Sequence, residues 1–450
     1  MQLKYNKYPT YKDSGVEWLG EIPEHWEARR VKSIFRLVIE PAEKDNNEEL
    51  LSVYTDIGVR PRKELAERGN KASTTDGYWK VKKGDVIVNK LLAWMGAIGI
   101  SNYNGVTSPA YDILRPRQNI NGGFYHNLFR TSTCISELKK HSRGIMNMRL
   151  RLYFDKFGDV VVPLPPIEEQ NTIAQHLDQK TKKIDQAISQ KEKMIALLKE
   201  RKQIMIQELV TGKIVWDKET DSWIKPKQTK DSGVEWIGEI PEGWEVKRLK
   251  YLIKNLESGV SVNASETESA KDDEIGVLKT SSVYKYSFDK NENKKVFKSD
   301  LKRVKCPVIK GRIIISRMNA PDLVGASGYA RESHTNLFLP DRLWQTVYHS
   351  NLKFDSIWLS IVMTNVSFRK VVTSYANGSS PSMKNISKPD LLNISIPFPK
   401  FKEQSKLVEG IEIQSTKIDQ TIALQQKQIE RLKEYKMVLI DSLVTGKVKI

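Results

Sequence analysis

The chain is nearly devoid of cysteine. Its two, Cys134 and Cys306 among 450 residues, stand far apart with no second ligand at zinc spacing; neither a disulfide framework nor a metal knuckle is indicated. No run of 18 or more apolar residues occurs, which argues against a membrane span. The opening MQLKYNKYPT lacks the apolar core of a signal peptide, so a cytoplasmic location is expected. Glycine loops of the G-x-G-x-x-G and G-x-x-x-x-G-K-[ST] kinds are missing, and the lysines of the two Thr-Gly-Lys sequences, Lys213 and Lys447, have neither the glycine loop nor the following hydroxyl that phosphate binding requires. Acidic residues are scarce relative to basic ones. Against 73 Lys and Arg stand 55 Asp and Glu, giving a formal charge of +18, and a balance of this sign points to a polyanionic partner, nucleic acid first.

What is present is a duplication. Lys12 to Trp18 reads KDSGVEW and so does Lys230 to Trp236; over Lys12 to Lys32, 16 of 21 residues are identical to those 218 positions later. A second ungapped match links Gly144 to Lys213 with Gly378 to Lys447 at an offset of 234. Between these pieces, residues 37–143 and 255–377 share no evident sequence, and the second stretch is 16 residues longer. Fixed ends around divergent middles suggest one scaffold carrying two specificities.

Length as a soft prior allows about three domains. Each copy opens with KDSGVEW-[LI]-GEIPE-x-W, whose Gly20, Pro23, Gly238 and Pro241 predict an irregular docking loop. Its tryptophans (Trp18 and Trp26; Trp236 and Trp244) need burial, either against their own domain or against the long helices or a partner. The middles read as mixed α/β. In each, a glycine leads into β-branched residues, at Gly84–Asn89 and at Gly311–Ser316, predicting a buried strand that delivers a cation at its end, Lys90 in one and Arg317 in the other.

The strongest pattern lies in the second repeat. Apolar residues recur at alternating steps of three and four from Ala174 to Leu209 and again from Val408 to Leu443, with interruptions at the same three places: Thr181, Lys191 and Lys202; Ser415, Gln425 and Lys436. A 3.5-residue period held for about five heptads is a coiled-coil seam. Leu177, Ile184, Ile188, Ile195 and Leu198 are expected to pair with Ile411, Ile418, Ile422, Ile429 and Leu432. The first helix should run from about Ile167 to Val210, roughly 65 Å at ~1.5 Å per residue, after the stop at Pro163, Pro165 and Pro166 and before a glycine cap at Gly212. Two copies related by a local two-fold favour an antiparallel pair, with the globular middles carried to opposite ends, over a parallel pair that would set them side by side.

Taken together, Gly20-Glu21-Ile22-Pro23-Glu24-His25-Trp26, Pro163-Leu164-Pro165-Pro166-Ile167-Glu168-Glu169-Gln170 and Leu209-Val210-Thr211-Gly212-Lys213, with their second copies, resemble the specificity subunit of type I DNA restriction-modification systems over essentially the whole chain. Pro397-Phe398-Pro399-Lys400-Phe401 departs slightly from the proline-rich first version. The resemblance implies an α+β fold class: two mixed α/β target recognition domains separated by two long antiparallel coiled-coil helices in a pseudo-two-fold internal repeat. The expected division is a first recognition domain with its N-terminal segment at 1–165, a long helix at 166–213, a linker at 214–229, a second recognition domain at 230–399 and a second long helix at 400–450. It further implies double-stranded DNA as ligand, each domain reading one half of a bipartite site. The partners implied are two modification subunits that bind S-adenosylmethionine and methylate adenine, and restriction subunits that use ATP and Mg2+. No cofactor is expected on this chain and no catalytic site. Readers on one face of a duplex favour centres about 34 to 36 Å apart, so a spacer of a few base pairs is expected.

Arg or Lys on guanine and Asn or Gln on adenine are the expected base readers. Candidates in the first middle are Arg60, Arg62, Lys63, Asn89, Lys90 and Trp94, with Arg143, Arg149 and Arg151 near its close. In the second they are Lys279, Ser281, Tyr284, Arg317, Asn319 and Lys384, with Gly378, Ser379 and Ser380 as a turn whose backbone donors suit phosphate. Against an enzyme, Ser108-Pro109-Ala110-Tyr111 has alanine where adenine methyltransferases carry a second proline. Asp273 with Glu292-Asn293-Lys294 imitates a metal-dependent nuclease arrangement in a charge-rich stretch. A self-contained nuclease with helical arms and a coiled-coil protein without a nucleic-acid role stay as alternatives.

Overall fold

The computed structural model describes residues 5–55, 57–65, 75–144, 150–217, 219–220, 222–380 and 383–450. Its contacts divide into two units, Met1–Lys193 with Gln425–Ile450, and Met194–Leu424. This division cuts each long helix in two, whereas the sequence suggests treating each helix as a piece of its own.

The first long helix spans Ile167–Val210 and the second Phe401–Val444. Both begin alike. Gln170 donates from Nε2 to Pro165 C=O (2.8 Å) and accepts at Oε1 from Asn121 N–H (2.8 Å); Gln404 does the same with Pro399 C=O and Asp355 N–H, both at 2.8 Å. The repeated glutamine thus ties the unpaired first turn of the helix to the globular middle beside it. Both helices also end alike, in a glycine with positive φ, Gly212 at 73° and Gly446 at 76°. The Lys213 and Lys447 N–H groups return to Glu208 and Ser442 C=O at 2.8 and 2.9 Å, closing the left-handed cap.

In the first unit, four antiparallel strands lie in the order Phe35–Val38, Tyr111–Pro116, Val86–Asn89, Ile98–Ile100. The second unit repeats that order with Ile253–Ser258, Leu343–Tyr348, Ile313–Ser316 and Ser327–Tyr329. Middles without sequence similarity therefore share a sheet, because both place a fully buried β-branched strand, Val86–Asn89 or Ile313–Ser316, at its interior. Helix Gly122–Leu128 packs on strand Ile98–Ile100 of the first sheet and Ser356–Thr364 on Ser327–Tyr329 of the second, each followed by a further helix, Ser132–His141 or Val366–Tyr375. Edge-on and tilted ring contacts among Trp26, Phe124, Tyr125, Phe35, Phe129 and Phe157 build the first core; the second gathers Trp244, Trp344, Trp358 and Phe368 with Leu209, Val210, Leu407 and Val408 from the helices.

The opening segment is not an irregular loop. Tyr11–Asp13 pairs antiparallel with Glu21–Pro23, and Thr229–Asp231 with Glu239–Pro241, so each copy is a short hairpin. Pro23 and Pro241 are tolerated because each ends a two-stranded ribbon, where a missing N–H breaks no central ladder. Trp26 is fully buried and donates from Nε1 to Glu169 Oε2 (2.7 Å); Trp244 donates to Glu403 Oε1 (2.8 Å). Each of these tryptophans therefore meets the start of its own copy's helix. Each also meets the end of the other copy's helix: Gly446 lies against Pro23 and Trp26, and Gly212 against Pro241 and Trp244. Trp18 and Trp236 donate to Val161 and Ser395 C=O, both at 3.1 Å.

Inside the first unit the helices run antiparallel. Asp185 meets Lys436 at 2.7 Å and, further along the first helix, Lys191 reaches back to Gln425 at 3.0 Å. The second unit has the counterpart of the former in Lys202 and Asp419, at 2.7 Å. Leu177, Ile184, Ile188, Ile411, Ile422 and Ile429 are buried, while Ile195, Leu198, Ile418 and Leu432 are partly so. Two of the three seam interruptions are thereby explained: Lys202 and Lys436 carry ion pairs, and Lys191 and Gln425 bond each other. Ser415 Oγ is buried with no partner among the described residues.

Candidate nucleic-acid interface

Each buried central strand ends where a charged side chain emerges, and in both units the carbonyl of that residue is held by the same donor. Leu152 N–H bonds Lys90 C=O (2.9 Å), and Ile386 N–H bonds Arg317 C=O (3.0 Å). Leu152 and Ile386 are equivalent in the 234 register. The exit of the sheet is thus a fixed point of the scaffold from which different side chains project.

Several first-unit candidates are engaged within the fold. Asn89 is buried, and its Oδ1 accepts Leu91 N–H (3.1 Å) to shape the turn leaving the strand. That internal bond gives the residue a structural role in the turn. Lys90 donates to Pro109 C=O (2.8 Å) and stands 3.4 Å from Asp112. Burial lifts the Asp112 carboxyl above its usual range despite the ammonium beside it. Trp94 donates from Nε1 to Leu91 C=O (2.9 Å), with Lys139 5.7 Å from its ring centre. Arg60 bonds Val59 C=O (3.2 Å), Lys63 pairs with Glu49, and Arg62 opens a short 3-10 turn through its N–H to Leu50 C=O (2.8 Å). Arg143 and Arg151 are exposed and pair with each other in an isolated antiparallel bridge. Arg149 lies outside the described residues.

The second unit brings its candidates together from three distant segments. Met318–Asn319, Met383–Asn385 and Asn377–Ser380 form one three-stranded sheet with Asn319 opposite Lys384. Asn319 Nδ2 donates to Tyr284 OH (2.7 Å), and that hydroxyl also meets Thr280 Oγ1 (2.8 Å). Arg317, at the same exit, has an Nε buried without a partner among the described residues. Lys279 and Ser281 instead face Glu292, at 4.0 and 2.5 Å. Gly378 is required by close approach: a Cβ there would stand 2.1 Å from Met383 C=O. Ser379 and Ser380 belong to the strand by backbone, and their side chains lie outside the described residues.

Sequence reasoning missed Asn377 and Asn385, which face each other in that sheet. The signal was available, since continuing the 234 register one residue before Gly144 sets Arg143 on Asn377 and Arg151 on Asn385.

The same four-stranded sheet thus occurs twice, each time with a polar segment fastened at the exit of its buried strand. The chain belongs to the type I restriction modification DNA specificity domain family, which it matches at residues 23–195 and 241–434. It is 25% identical over 451 residues to the type I restriction enzyme MjaVIII specificity subunit of Methanocaldococcus jannaschii, covering 95% of this chain and 94% of that one. To the type I restriction enzyme EcoKI specificity subunit of Escherichia coli K12 it is 24% identical over 310 residues, covering 67% and 60%. Among solved structures, a chain from work on complex assembly and conformational transition of the type I R-M system superposes with a TM-score of 0.68 at 14% identity, covering 94% of this chain and 98% of that one. The HsdS subunit from Thermoanaerobacter tengcongensis gives 0.51 at 16%, covering 95% and 98%. At these identities the structural likeness is one of fold.

Proposed function

We propose that each unit reads one half of a bipartite, asymmetric DNA site, and that the two long helices govern the number of unspecified base pairs between the halves and dock the modification subunits. The observation that carries this reading is the identical strand order in two middles of unrelated sequence: one frame is kept while its exposed side chains change. Linking two readers in one chain makes the second binding event intramolecular, so modest half-site affinities combine. The charge of +18 suits a polyanion.

Partner docking is supported by large apolar side chains left exposed on the helices: Met194, Leu197 and Ile204 on the first, Ile413, Leu424 and Met437 on the second. Met194, Leu197 and Ile204 recur at helical spacing, and an exposed apolar stripe suits an interaction surface. The partners we assign are two modification subunits, which bring S-adenosylmethionine and methylate adenine, and restriction subunits that bring ATP and Mg2+; this chain supplies recognition and no chemistry. The nuclease alternative fares poorly, because Glu292 is bonded by Ser281 Oγ and Lys294 lies against Glu266 at 3.3 Å.

The test is to express the chain with its modification subunits and map methylated adenines by single-molecule sequencing, before and after residues 37–143 are exchanged for another such middle. One half of the methylated motif should change; change in both halves overturns the two-reader assignment. Turnover of cognate DNA by the purified chain alone, given S-adenosylmethionine, Mg2+ and ATP, would show that it is itself an enzyme.

A further inference from the structure

In each unit the segment fastened to the strand exit presents one cross-strand pair at the same register. In the first unit Arg143 and Arg151 oppose each other, exchanging both backbone bonds at 2.9 and 2.8 Å; in the second, Asn377 opposes Asn385. All four residues are exposed. Directly opposed residues of an antiparallel pair project from the same face, so each pairing offers two like side chains side by side. The bonds from Leu152 and Ile386 to the strand ends hold both pairings at equivalent places, so the frame is constant and the displayed pair is what differs.

The first pair makes little sense as a stabilising feature. Like charges set opposite each other repel. Among the described residues Arg143 reaches Asp155 at 4.0 Å and Arg151 the Tyr153 hydroxyl at 3.4 Å, contacts too long or too neutral to balance two guanidinium groups. Two forks of donors pointing to solvent are suited to electron-rich acceptors brought by a ligand. In the DNA major groove arginine bonds guanine O6 and N7 and asparagine bonds adenine N6 and N7, each in bidentate fashion. The substitution of Arg–Arg by Asn–Asn between the two units is therefore a change of base preference on one frame.

We infer that this cross-strand pair is the specificity-determining element of each unit: Arg143 and Arg151 read guanine in one half-site, and Asn377 and Asn385 read adenine in the other. The inference rests on the DNA-reading function proposed above.

The full chain with its modification subunits is incubated with a randomised duplex library, and the bound fraction is sequenced. Wild-type protein should recover a bipartite motif with guanine in one half and adenine in the other. Arg143→Ala with Arg151→Ala should relax the guanine preference by roughly 5- to 150-fold, the worth of bidentate base contacts, and leave the other half unchanged. Asn377→Ala with Asn385→Ala should relax an adenine in the other half alone. Arg151→Lys keeps the charge but loses the fork, so it should retain total binding while loosening guanine; unchanged melting temperatures verify that these surface variants fold. Uniformly weaker binding with an intact motif makes the pair a phosphate clamp and overturns the inference, as does a change in both halves. If wild-type protein recovers no motif at all, the DNA-reading function itself fails.

Discussion

Lys191 donates from Nζ to Gln425 Oε1 at 3.0 Å, and these two residues occupy the same place in the two copies of the repeat. Lys191 also bonds Gln428. Equivalent positions of an antiparallel pair meet at one level only, so this polar contact marks a single register of the helices. A polar residue at a seam position specifies register at a cost in stability. Replacing Lys191 and Gln425 together by leucine should therefore raise stability by about 1 kcal/mol and permit slipped or intermolecular pairings. Urea unfolding with sedimentation velocity reads both; a variant that gains no stability and stays monodisperse refutes the register role.

The seam itself is tested by charge. Ile188 and Ile422 are each 9% exposed, so Ile188→Asp with Ile422→Asp sets a carboxylate into each apolar stretch. Each should cost about 3 kcal/mol or more, with loss of modification-subunit binding. A compact, fully assembling double variant would contradict the packing described.

The crosswise docking of helix ends has its own probe. At Gly446, φ is +76° and an added Cβ would stand 2.4 Å from Pro23 Cδ; at Gly212, φ is +73° and the distance to Pro241 Cδ is 2.3 Å. Left-handed strain and overpacking act together, so Gly446→Ala or Gly212→Ala should destabilise by about 2 to 4 kcal/mol. Thermal melting checks this, and a loss below 1 kcal/mol would mean that the contact is loose.

Arg115 lies in the first sheet with Nε and Nη2 on the Asp85 carboxylate, both at 2.9 Å, and Nη1 on Glu40 at 2.7 Å. Asp85 is 2% exposed. Removing the guanidinium strands a buried charge, so Arg115→Leu should cost about 3 to 5 kcal/mol. Adding Asp85→Asn should recover part of that loss in urea titrations; no recovery would place the damage in packing.

His126 rests against Gly58 and Gly99, and burial, reinforced by the Arg130 and Arg60 guanidiniums, pushes its pKa from 6.5 down to about 4. The fold holds the neutral imidazole, so the unfolded chain binds a proton first as pH falls. Its stabilising contribution is complete above 6.5 and fades as pH drops towards 4. His126→Gln should flatten melting temperature against pH in that window; an unchanged slope would remove His126 as its cause.

Some of this was legible without coordinates. The proline run before Ile167 and the glycine at Gly212 bound the first helix because each acts through its own backbone: proline excludes the turn before it, glycine admits a left-handed cap. The strands at Val86–Asn89 and Ile313–Ser316 were marked by β-branched residues after a glycine. The opening hairpin was misread as a loop because three-residue strands leave no periodic trace, and the bond Asn89 takes from Leu91 N–H was not legible because sequence does not say which polar side chain the backbone engages.

By itself the sequence determined the repeat, the two helices and the positions at which their seam is polar, since these depend on spacing along one chain. Only the tertiary structure decided that each helix end closes on the other copy's Trp26 or Trp244 segment, that middles without sequence identity share one strand order, and that Arg143 stands to Arg151 as Asn377 does to Asn385. Those are relations between residues far apart in the chain. They follow from which surfaces pack and which backbone groups pair, and local spacing encodes neither.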